Sequence, residues 1–305
     1  KLDFYVKRTN PEKAKSHFIQ IHSVLEAYEY YFGEYPFYNS GFKMIEVPYI
    51  GMEHQSAIAY GNNFKNGYRG LDFSGIGLEY DYIILHEIAH EWWGNSVSAE
   101  SKNDMWINES LATYSETLLV EYVRGYEDAM VYLNRDLYYI LRNNNPICDT
   151  VTGSIYGTDM YNKGSAFWNS LRHIVNDDNK WMCFLRTLHD NYKYKTLSTK
   201  EILIFINEYF QEDYNYIFDQ YVFSPDIPVL ELFMDDISKD SVLSYRWTNC
   251  VDEFRMPIRI DTENGSITIT PISFIPTRNE YFISKTDFEK ARWKYLFNIL
   301  FTYEN

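Results

Sequence analysis

The stretch "HEIAHEWWGN", residues 86–95, places His86 and His90 four positions apart, with Glu87 beside the first histidine. On a helix, residues four apart lie about 40° from each other around the axis, so both imidazoles project from one face and can share one ion. Glu87 lies about 100° from His86 and can reach a water at that ion without binding the ion itself. The stretch predicts a metal-binding helix. An amphipathic helix with two hydrogen-bonded core histidines is the alternative, and a third ligand must decide.

A candidate for the third ligand is Glu109, in the stretch "DMWINESLATYSE". Eighteen residues separate it from His90, and it stands near the start of a second helical pattern. Zinc in hydrolases favours neutral imidazoles and a carboxylate, with a fourth position left for water. An acidic residue near a helix start is also a favourable partner of the helix dipole. The position of Glu109 alone therefore leaves both interpretations open.

The two motifs together resemble those of the zinc aminopeptidase family that includes aminopeptidase N and leukotriene hydrolase. "WINES" resembles the family's W-[IL]-N-E-[GS], and "HEWWGN" resembles its H-x-W-x-G-N continuation of H-E-x-x-H. The resemblance implies that His86, His90 and Glu109 hold one Zn²⁺ and that Glu87 is the general base. Thermolysin-type endopeptidases share this plan with the glutamate usually one residue further on, so spacing separates the two groups only weakly.

Upstream, "IGMEHQ", residues 50–55, resembles the family's G-[AG]-M-E-N motif, whose glutamate binds the α-ammonium group of the substrate. By this match Glu53 takes that role, and Gly51 and Met52 are expected to contact the substrate beside it. A carboxylate paired with an ammonium confines the substrate so that only its first peptide bond reaches the metal. Ile50 and His54 depart from the motif at its first and last positions.

Downstream, "YNKG", residues 161–164, resembles the family's Y-x-K-G, whose tyrosine donates a hydrogen bond to the oxyanion. Tyr161 takes that role by the match. Tyr156 corresponds to a second tyrosine that lines the pocket in some members, with core packing as the alternative. Five further residues are expected to be structural, the first two by match and the tryptophans as core: Asn95, Asp104, Trp92, Trp93 and Trp106.

The patterns along the chain predict helices and strands in a definite order. Residues 11–33 have the spacing of one helix ending at Gly33, residues 41–51 predict a strand running into a turn, and "SAIAYGNN" predicts an edge strand. Helical patterns then dominate residues 80–210, with a capping box at Ser198 and Glu201. From about Ser224 the runs are short and β-rich, and a last helix is expected over "DFEKARWKYLFNILF", capped by Thr286 with Glu289.

The implied fold class is α+β: a thermolysin-like catalytic domain over residues 1–222, followed by a small β-sandwich domain over residues 223–305. Within the first domain, a strand-rich lobe is expected over about residues 1–79 and a helical lobe over about 80–222. The family normally carries a β-rich domain before these two. Because the chain begins at Lys1 rather than Met, we expect an upstream segment to be missing.

Composition restricts the function classes. The formal net charge is −15 and no Lys/Arg stripe is present, which argues against nucleic-acid binding and mildly favours cationic partners such as peptides with a free amino end. No apolar run approaches 18 residues, so no membrane span is expected. Three scattered cysteines support neither a disulfide framework nor a thiolate zinc site. No signal peptide is visible, and the compartment is left undefined.

The resemblance implies a zinc-dependent aminopeptidase that hydrolyses the first peptide bond of peptides. Two alternatives stay open: an endopeptidase of thermolysin type, and a zinc-holding module that binds peptides without turnover. An intact Glu87 and Tyr161 argue against the second alternative, because a non-catalytic descendant need not keep them. Nothing in the motifs points to epoxide hydrolysis, the special activity of one branch of the family.

Overall fold

The computed structural model describes residues 1–303 apart from 73, 141–145, 149–157, 235–240, 264 and 292–295. In the described part of the chain the helices are α1 (Pro11–His17), α2 (Gln20–Phe32), α3 (Tyr82–Ala89), α4 (Met105–Arg124), α5 (Tyr126–Ile140), α6 (Asn162–Val175), α7 (Asp178–Tyr192), α8 (Thr199–Phe210), α9 (Asn215–Tyr221) and α10 (Lys285–Ala291). No described helix is long and apolar enough to cross a bilayer.

Strands occur at both ends of the chain and in one short pair between. They are β1 (Leu2–Tyr5), β2 (Phe42–Glu46), β3 (Gly51–Met52), β4 (Ile58–Tyr60), β5 (Val97–Ala99), β6 (Lys195–Leu197), β7 (Val229–Met234), β8 (Val242–Thr248), β9 (Ile258–Thr262), β10 (Gly265–Ile269), β11 (Thr277–Arg278) and β12 (Asn298–Tyr303). The mixed α+β class predicted from the sequence is confirmed.

The first sheet has the strand order β1-β2-β4-β3, and it corrects one prediction. β4, expected at an edge, lies inside the sheet, parallel to β2 on one side and antiparallel to β3 on the other. The reason is its composition, since Ile58, Ala59 and Tyr60 are all buried, as a strand covered on both faces requires. The edge position falls instead to β3, where Gly51 is half-buried and Met52 is exposed.

The helix predicted over residues 11–33 is broken into α1 and α2. The side chain of Gln20 donates to the backbone oxygen of His17 at 2.9 Å, which satisfies a carbonyl at the end of α1. The next backbone bonds are tight i to i+3 turns, such as His22 N to Ile19 O at 3.3 Å, and α2 starts from them. The predicted end is right, because α2 stops at Gly33, which has φ +92°.

A buried carboxylate fixes the start of the motif helix α3. Asp81 caps it by accepting the backbone N–H of Ile83 at 3.0 Å, and also accepts the Tyr60 hydroxyl at 2.6 Å and the Asn62 amide at 2.8 Å. Because Tyr60 belongs to β4, α3 is tied to the sheet at its first turn.

The helical middle region and the packing of the tryptophans agree with the predictions. The three tryptophans expected in the core, Trp92, Trp93 and Trp106, are at most 1% exposed. α8 begins at the expected capping box, in which Ser198 and Glu201 bond each other's backbone N–H groups. α4, the longest described helix, packs against α3, α5 and α6, so the second motif lies at the centre of the helical region.

The last region contains a four-stranded sheet, β11-β8-β7-β12, and a two-stranded sheet, β10-β9. Most of the predicted β-rich runs form strands here, but the last predicted helix is wrong in two respects. α10 starts earlier, with Ser284 and Asp287 bonding each other's backbone N–H groups in place of Thr286 and Glu289. The last residues of the predicted helix, 298–301, are instead part of strand β12, which is parallel to β7 over its whole length. Long-range pairing overrides the local helical spacing there.

Candidate metal centre and catalytic cleft

The side chains of His86, His90 and Glu109 meet in a buried triangle. The two histidine Nε2 atoms are 3.1 Å apart, and Glu109 Oε2 lies 3.3 Å from each of them. His86 comes from α3, His90 directly follows that helix, and Glu109 comes from the second turn of α4. The close packing of α3 on α4 therefore brings together three of the residues that the sequence singled out.

The triangle fits a zinc ion. Ligand atoms about 2.0–2.1 Å from a tetrahedral ion lie about 3.3 Å from one another, which is close to all three observed separations. Two imidazole nitrogens and one carboxylate oxygen are also donors that zinc prefers. A second group of possible ligands, Glu53, Glu87 and His90, shares a histidine with the triangle. It offers two carboxylates and a single imidazole, so it is the poorer match for zinc.

Both histidines are oriented through their other ring nitrogen. Nδ1 of His86 is 3.1 Å from Oε1 of Glu116, and Nδ1 of His90 is 2.8 Å from the backbone oxygen of Trp93. Each of these oxygens accepts a hydrogen bond from the Nδ1–H group, which leaves the Nε2 lone pair directed at the centre of the triangle. Burial lowers the pKa of His86, but hydrogen bonds to Glu109 and Glu116 outweigh this and raise it well above the usual range. Charge complementarity therefore favours a cation at this position.

Glu87 lies beside the triangle with its carboxylate held in a narrow space. Burial raises the pKa of its carboxyl to about 6, against the opposing effect of the two histidines. Gly51 of β3 closes one side of this space. A β-carbon at position 51 would lie 2.4 Å from Glu87 Oε1 and 2.8 Å from Ile83 Cγ2, so only glycine permits this approach of strand to helix.

Glu53 extends from the chain just after β3 toward the same centre. One of its carboxylate oxygens lies within 4.8 Å of ligand atoms of Glu87 and His90. Its backbone oxygen accepts the Asn95 amide at 2.6 Å, and the same amide donates to Glu91 at 3.0 Å. Asn95 thus ties the end of the motif helix to the strand segment that carries Glu53. This contact is a structural explanation for the asparagine in "HEWWGN".

Tyr161 directly precedes α6, with its ring centre 5.9 Å from that of His86. Burial, together with three neighbouring carboxylates, raises the pKa of its hydroxyl well above the usual range, so the hydroxyl keeps its proton near neutral pH. The hydroxyl can therefore act as a hydrogen-bond donor.

The first turn of α6 is fixed from two sides. Gly164 contacts α4, where an added β-carbon would lie 2.3 Å from the β-carbon of Ser110, next to Glu109. Lys163 is wholly buried, and its ammonium donates to the backbone oxygens of Ser224 and Pro225 at 2.7 and 3.3 Å. The lysine and glycine of "YNKG" therefore anchor the turn that carries Tyr161.

A cleft of about 530 Å³ opens beside the triangle, a volume suited to a short peptide segment. Its lining includes all but one of the predicted site residues: Gly51, Met52, Glu53, His86, Glu87, His90, Glu109 and Tyr161. Tyr156 lies outside the described residues. Asp104 accepts the backbone N–H and hydroxyl of Thr199, each at 2.7 Å, which is a structural contact between α4 and α8.

Sequence reasoning did not identify three residues that lie around His86. Glu116 orients His86; it follows Glu109 by seven positions on one helix face, a spacing that could have indicated it. Tyr82 precedes His86 by four positions and stacks on its ring, with centres 5.6 Å apart and planes at 11°. Arg135 of α5 bonds Glu116 at 2.5 Å, and no local pattern points to it, because it approaches from another helix.

Comparison with known proteins gives one family and consistent relatives. The model of the peptidase family M1 domain matches residues 19–221. Aminopeptidase B of Mus musculus is 26% identical over 144 residues, covering 43% of this chain and 22% of that protein. Probable aminopeptidase 1 of Sulfurisphaera tokodaii is 24% identical over 254 residues, covering 77% of this chain and 31% of that protein. The chain therefore spans less than a third of the length of these relatives.

Solved structures share the fold. Yeast LTA4 hydrolase superposes with a TM-score of 0.62 at 18% identity, covering 73% of this chain and 37% of that one. An M1 zinc metallopeptidase mutant from Deinococcus radiodurans, bound to a Tyr-Ser-Ala substrate, gives a TM-score of 0.50 at 22% identity, covering 62% and 41%. At these identities the likeness establishes the fold.

Proposed function

This chain belongs to peptidase family M1, and from that premise we propose that it is a zinc-dependent aminopeptidase that hydrolyses the first peptide bond of peptides with a free amino terminus. The family match covers residues 19–221, and it confirms the resemblance seen in the motifs. Because the chain spans only part of its relatives, the activity of the whole protein is inferred from the site.

One observation carries the proposal: Glu53 and Glu87 present carboxylates within 4.8 Å of each other beside His90. Two carboxylates this close repel each other unless a cation lies near them. The α-ammonium of a peptide supplies that charge and can form charge-assisted hydrogen bonds to Glu53. Anchored there, a substrate has its first peptide bond next to Glu87 and the metal triangle, as an aminopeptidase requires.

His86, His90 and Glu109 would hold one zinc ion. When bound, zinc supplies Lewis acidity, which makes water nucleophilic near neutral pH and polarises the scissile carbonyl. The Nδ1 contacts of the two histidines hold both rings in the orientation needed for this role.

The remaining chemistry belongs to Glu87 and Tyr161. Glu87 accepts a proton from the attacking water at its carboxylate and later passes it to the leaving amine. Tyr161 donates a hydrogen bond from its hydroxyl group to the carbonyl oxygen as negative charge develops there. Its raised pKa keeps that hydrogen in place near neutral pH. Gly51 keeps Glu87 close to the substrate by leaving room for its carboxylate.

The edge strand β3 offers a binding surface for extended peptide. Its outer side faces no other strand of the four-stranded sheet, so a substrate can add to the sheet there. Met52, on this strand and 40% exposed, lines the cleft. A substrate paired with β3 would lie along the path from Glu53 to Glu87.

The domain organisation supports the same assignment. We place a thermolysin-like catalytic domain at residues 1–222 and a small β-sandwich domain at residues 223–305, its two layers being the four-stranded sheet with β7 and the β9–β10 pair. Trp247, Phe254 and Phe297 pack together in this second region, with ring centres 5.3 and 5.4 Å apart. Lys163 bonds the segment that joins the two parts.

Hydrolysis of aminoacyl arylamides tests the proposal. We expect turnover by the purified chain, loss of turnover with a chelator, and recovery on adding one equivalent of Zn²⁺. Turnover that persists in metal-free protein would contradict the assignment. Zinc binding without turnover on any unblocked substrate would favour a peptide-binding module instead.

Tyr161→Phe is expected to lower kcat by about 10²- to 10³-fold with KM nearly unchanged, the usual effect of losing one oxyanion donor. The ring and its packing on His86 remain, so zinc content should not fall. Tyr122→Phe removes a hydroxyl from the exposed face of α4 and serves as the matched control. A Tyr161→Phe variant with wild-type kcat would remove this tyrosine from the mechanism.

Glu53→Ala is expected to lower kcat/KM for free-amine substrates by about 10- to 100-fold, since a hydrogen bond to a charged group is worth about 1.5–3 kcal/mol. Acetylated peptides have no ammonium group, so we expect their kcat/KM to differ much less between the wild type and Glu53→Ala. Steady-state kinetics on a matched pair of free and acetylated peptides gives both values. Faster cleavage of the blocked peptide with no effect on the free one would mean that Glu53 excludes blocked substrates and does not bind the ammonium.

Gly51→Ala is expected to lower kcat by about 10²-fold, because the new methyl group displaces the Glu87 carboxylate and a misplacement of about 1 Å costs that much. The substitution does not touch the metal ligands, so zinc stoichiometry should remain one per chain. Single-turnover kinetics with metal analysis checks both statements. Wild-type kcat in Gly51→Ala would show that Glu87 has room to move without loss of function.

A further inference from the structure

One guanidinium group contacts both of the side chains that flank the His86 ring. Arg135, in α5, bonds Oε2 of Glu116 at 2.5 Å, and its guanidinium carbon lies 5.4 Å from the ring centre of Tyr82. Glu116 approaches Nδ1 of His86, while Tyr82 stacks on the face of the same imidazole. Arg135 of α5 therefore contacts His86 indirectly in two ways, through Glu116 and through Tyr82.

The burial of Glu116 explains why a guanidinium group lies beside it. Glu116 is completely buried, and a buried carboxylate is costly unless it is paired and hydrogen-bonded. The Tyr132 hydroxyl supplies an uncharged donor at 2.8 Å, whereas Arg135 supplies a positive charge. The guanidinium is itself held in place, since its carbon lies 3.8 Å from the ring centre of Tyr132.

We propose that Arg135 is a positioning residue of the metal centre, which sets the zinc affinity of the His86, His90 and Glu109 triangle by holding Glu116 and Tyr82 against the His86 ring. Without Arg135, Glu116 loses its charged partner and Tyr82 loses its cation–π contact, so His86 loses both constraints together. The inference rests on the zinc site of the proposed function and does not depend on peptide hydrolysis.

The test is the zinc affinity of Arg135→Met, which keeps much of the unbranched side chain but removes the charge and the donors. Metal-free protein is titrated with Zn²⁺ against a chromophoric chelator, and the expected result is an affinity about 10- to 100-fold weaker, the usual effect of losing an outer partner of a metal-bound histidine. Arg135→Lys keeps the charge but not the planar group, so we expect an intermediate value. Should Arg135→Met fail to fold, Arg135→Lys carries the test.

A spectroscopic measurement separates positioning from general loss of stability. Co²⁺ is added to the metal-free wild type and variants, and its visible bands report the geometry of the ligands. We expect the bands to shift or weaken in Arg135→Met. A wild-type Zn²⁺ affinity in that variant would overturn the proposal, and so would weaker binding with a wild-type Co²⁺ spectrum, because the ligand geometry would then not depend on Arg135.

Arg172→Met is the matched control. Arg172 is buried and, like Arg135, pairs with a glutamate of α4, binding Glu121 through both terminal nitrogens at 2.6 and 2.8 Å. Neither residue of this pair is among the contacts of His86 described above. We expect Arg172→Met to lower the unfolding temperature but to leave the Zn²⁺ affinity and Co²⁺ bands near the wild-type values. An equal loss of affinity in both variants would also overturn the proposal.

The outcomes for the two hypotheses are separable. A chain that binds zinc in an Arg135-dependent way but hydrolyses no peptide would contradict the proposed function and support the positioning role. A chain that hydrolyses peptides but whose zinc affinity does not depend on Arg135 would support the proposed function and contradict the positioning role. A wild-type chain that takes up no zinc would overturn both.

Discussion

Glu87→Gln is expected to lower kcat for aminoacyl arylamides by about 10²- to 10⁴-fold, the usual contribution of a general acid–base group. Glutamine has nearly the same shape, and the space left by Gly51 accommodates it, but it accepts no proton from water. The metal ligands are unchanged, so zinc should remain at one ion per chain and KM should change little. Steady-state kinetics and metal analysis on the same preparation give all three values.

The control for Glu87→Gln is Glu79→Gln, which makes the same substitution at an exposed position before α3. We expect this variant to behave as the wild type. If Glu87→Gln retained wild-type kcat with zinc bound, the proton would have to move through another group. The proposed mechanism would then be wrong at its central step.

Glu109→Ala is expected to weaken zinc binding by more than about 100-fold, since losing only an outer partner of a ligand already costs 10- to 100-fold. The triangle would keep two imidazoles, and zinc sites of this class use three protein ligands. Hydrolysis should fall to the level of metal-free protein. Excess Zn²⁺ should restore little activity, because the remaining site holds the ion with the wrong coordination.

Glu121→Ala removes a glutamate from the same helix without touching the triangle, since Glu121 pairs with Arg172. It controls for damage to α4, and we expect a lower unfolding temperature with zinc still bound. Chelator competition and thermal unfolding compare the two variants directly. A Glu109→Ala variant that binds zinc as tightly as the wild type would remove Glu109 from the ligand set.

The meeting of His86, His90 and Glu109 could be predicted because it follows from local geometry and a distinctive motif. The spacing of His86 and His90 determines that both face one side of a helix, whatever surrounds it. The position of Glu109 near a helix start was not sufficient to predict a ligand, since a residue that only interacts with the helix dipole would stand there equally well. Only the surrounding motif "WINES" indicated that Glu109 is a ligand. The packing of α3 on α4 then brings its carboxylate to 3.3 Å from the Nε2 atoms of both histidines.

The supporting contacts could not be predicted in the same way. Arg135 approaches Glu116 from a different helix, and Lys163 reaches the carbonyl groups of residues 224 and 225, about sixty positions away. Such contacts depend on tertiary packing, and the periodicity of apolar residues predicts only local secondary structure. The same limit explains β12, whose helical spacing was overridden by pairing with β7. It also explains the interior place of β4, since strand order is decided by long-range contacts.

The most direct test of the central claim is the mass of the products from one unblocked peptide, digested in parallel with its acetylated form and with a chelator control. We predict stepwise loss of single residues from the amino terminus of the unblocked peptide, no cleavage of the acetylated peptide, and no products in the chelator control. Internal cleavage of both peptides would indicate an endopeptidase of thermolysin type. It would contradict the role assigned to Glu53 and with it the aminopeptidase assignment.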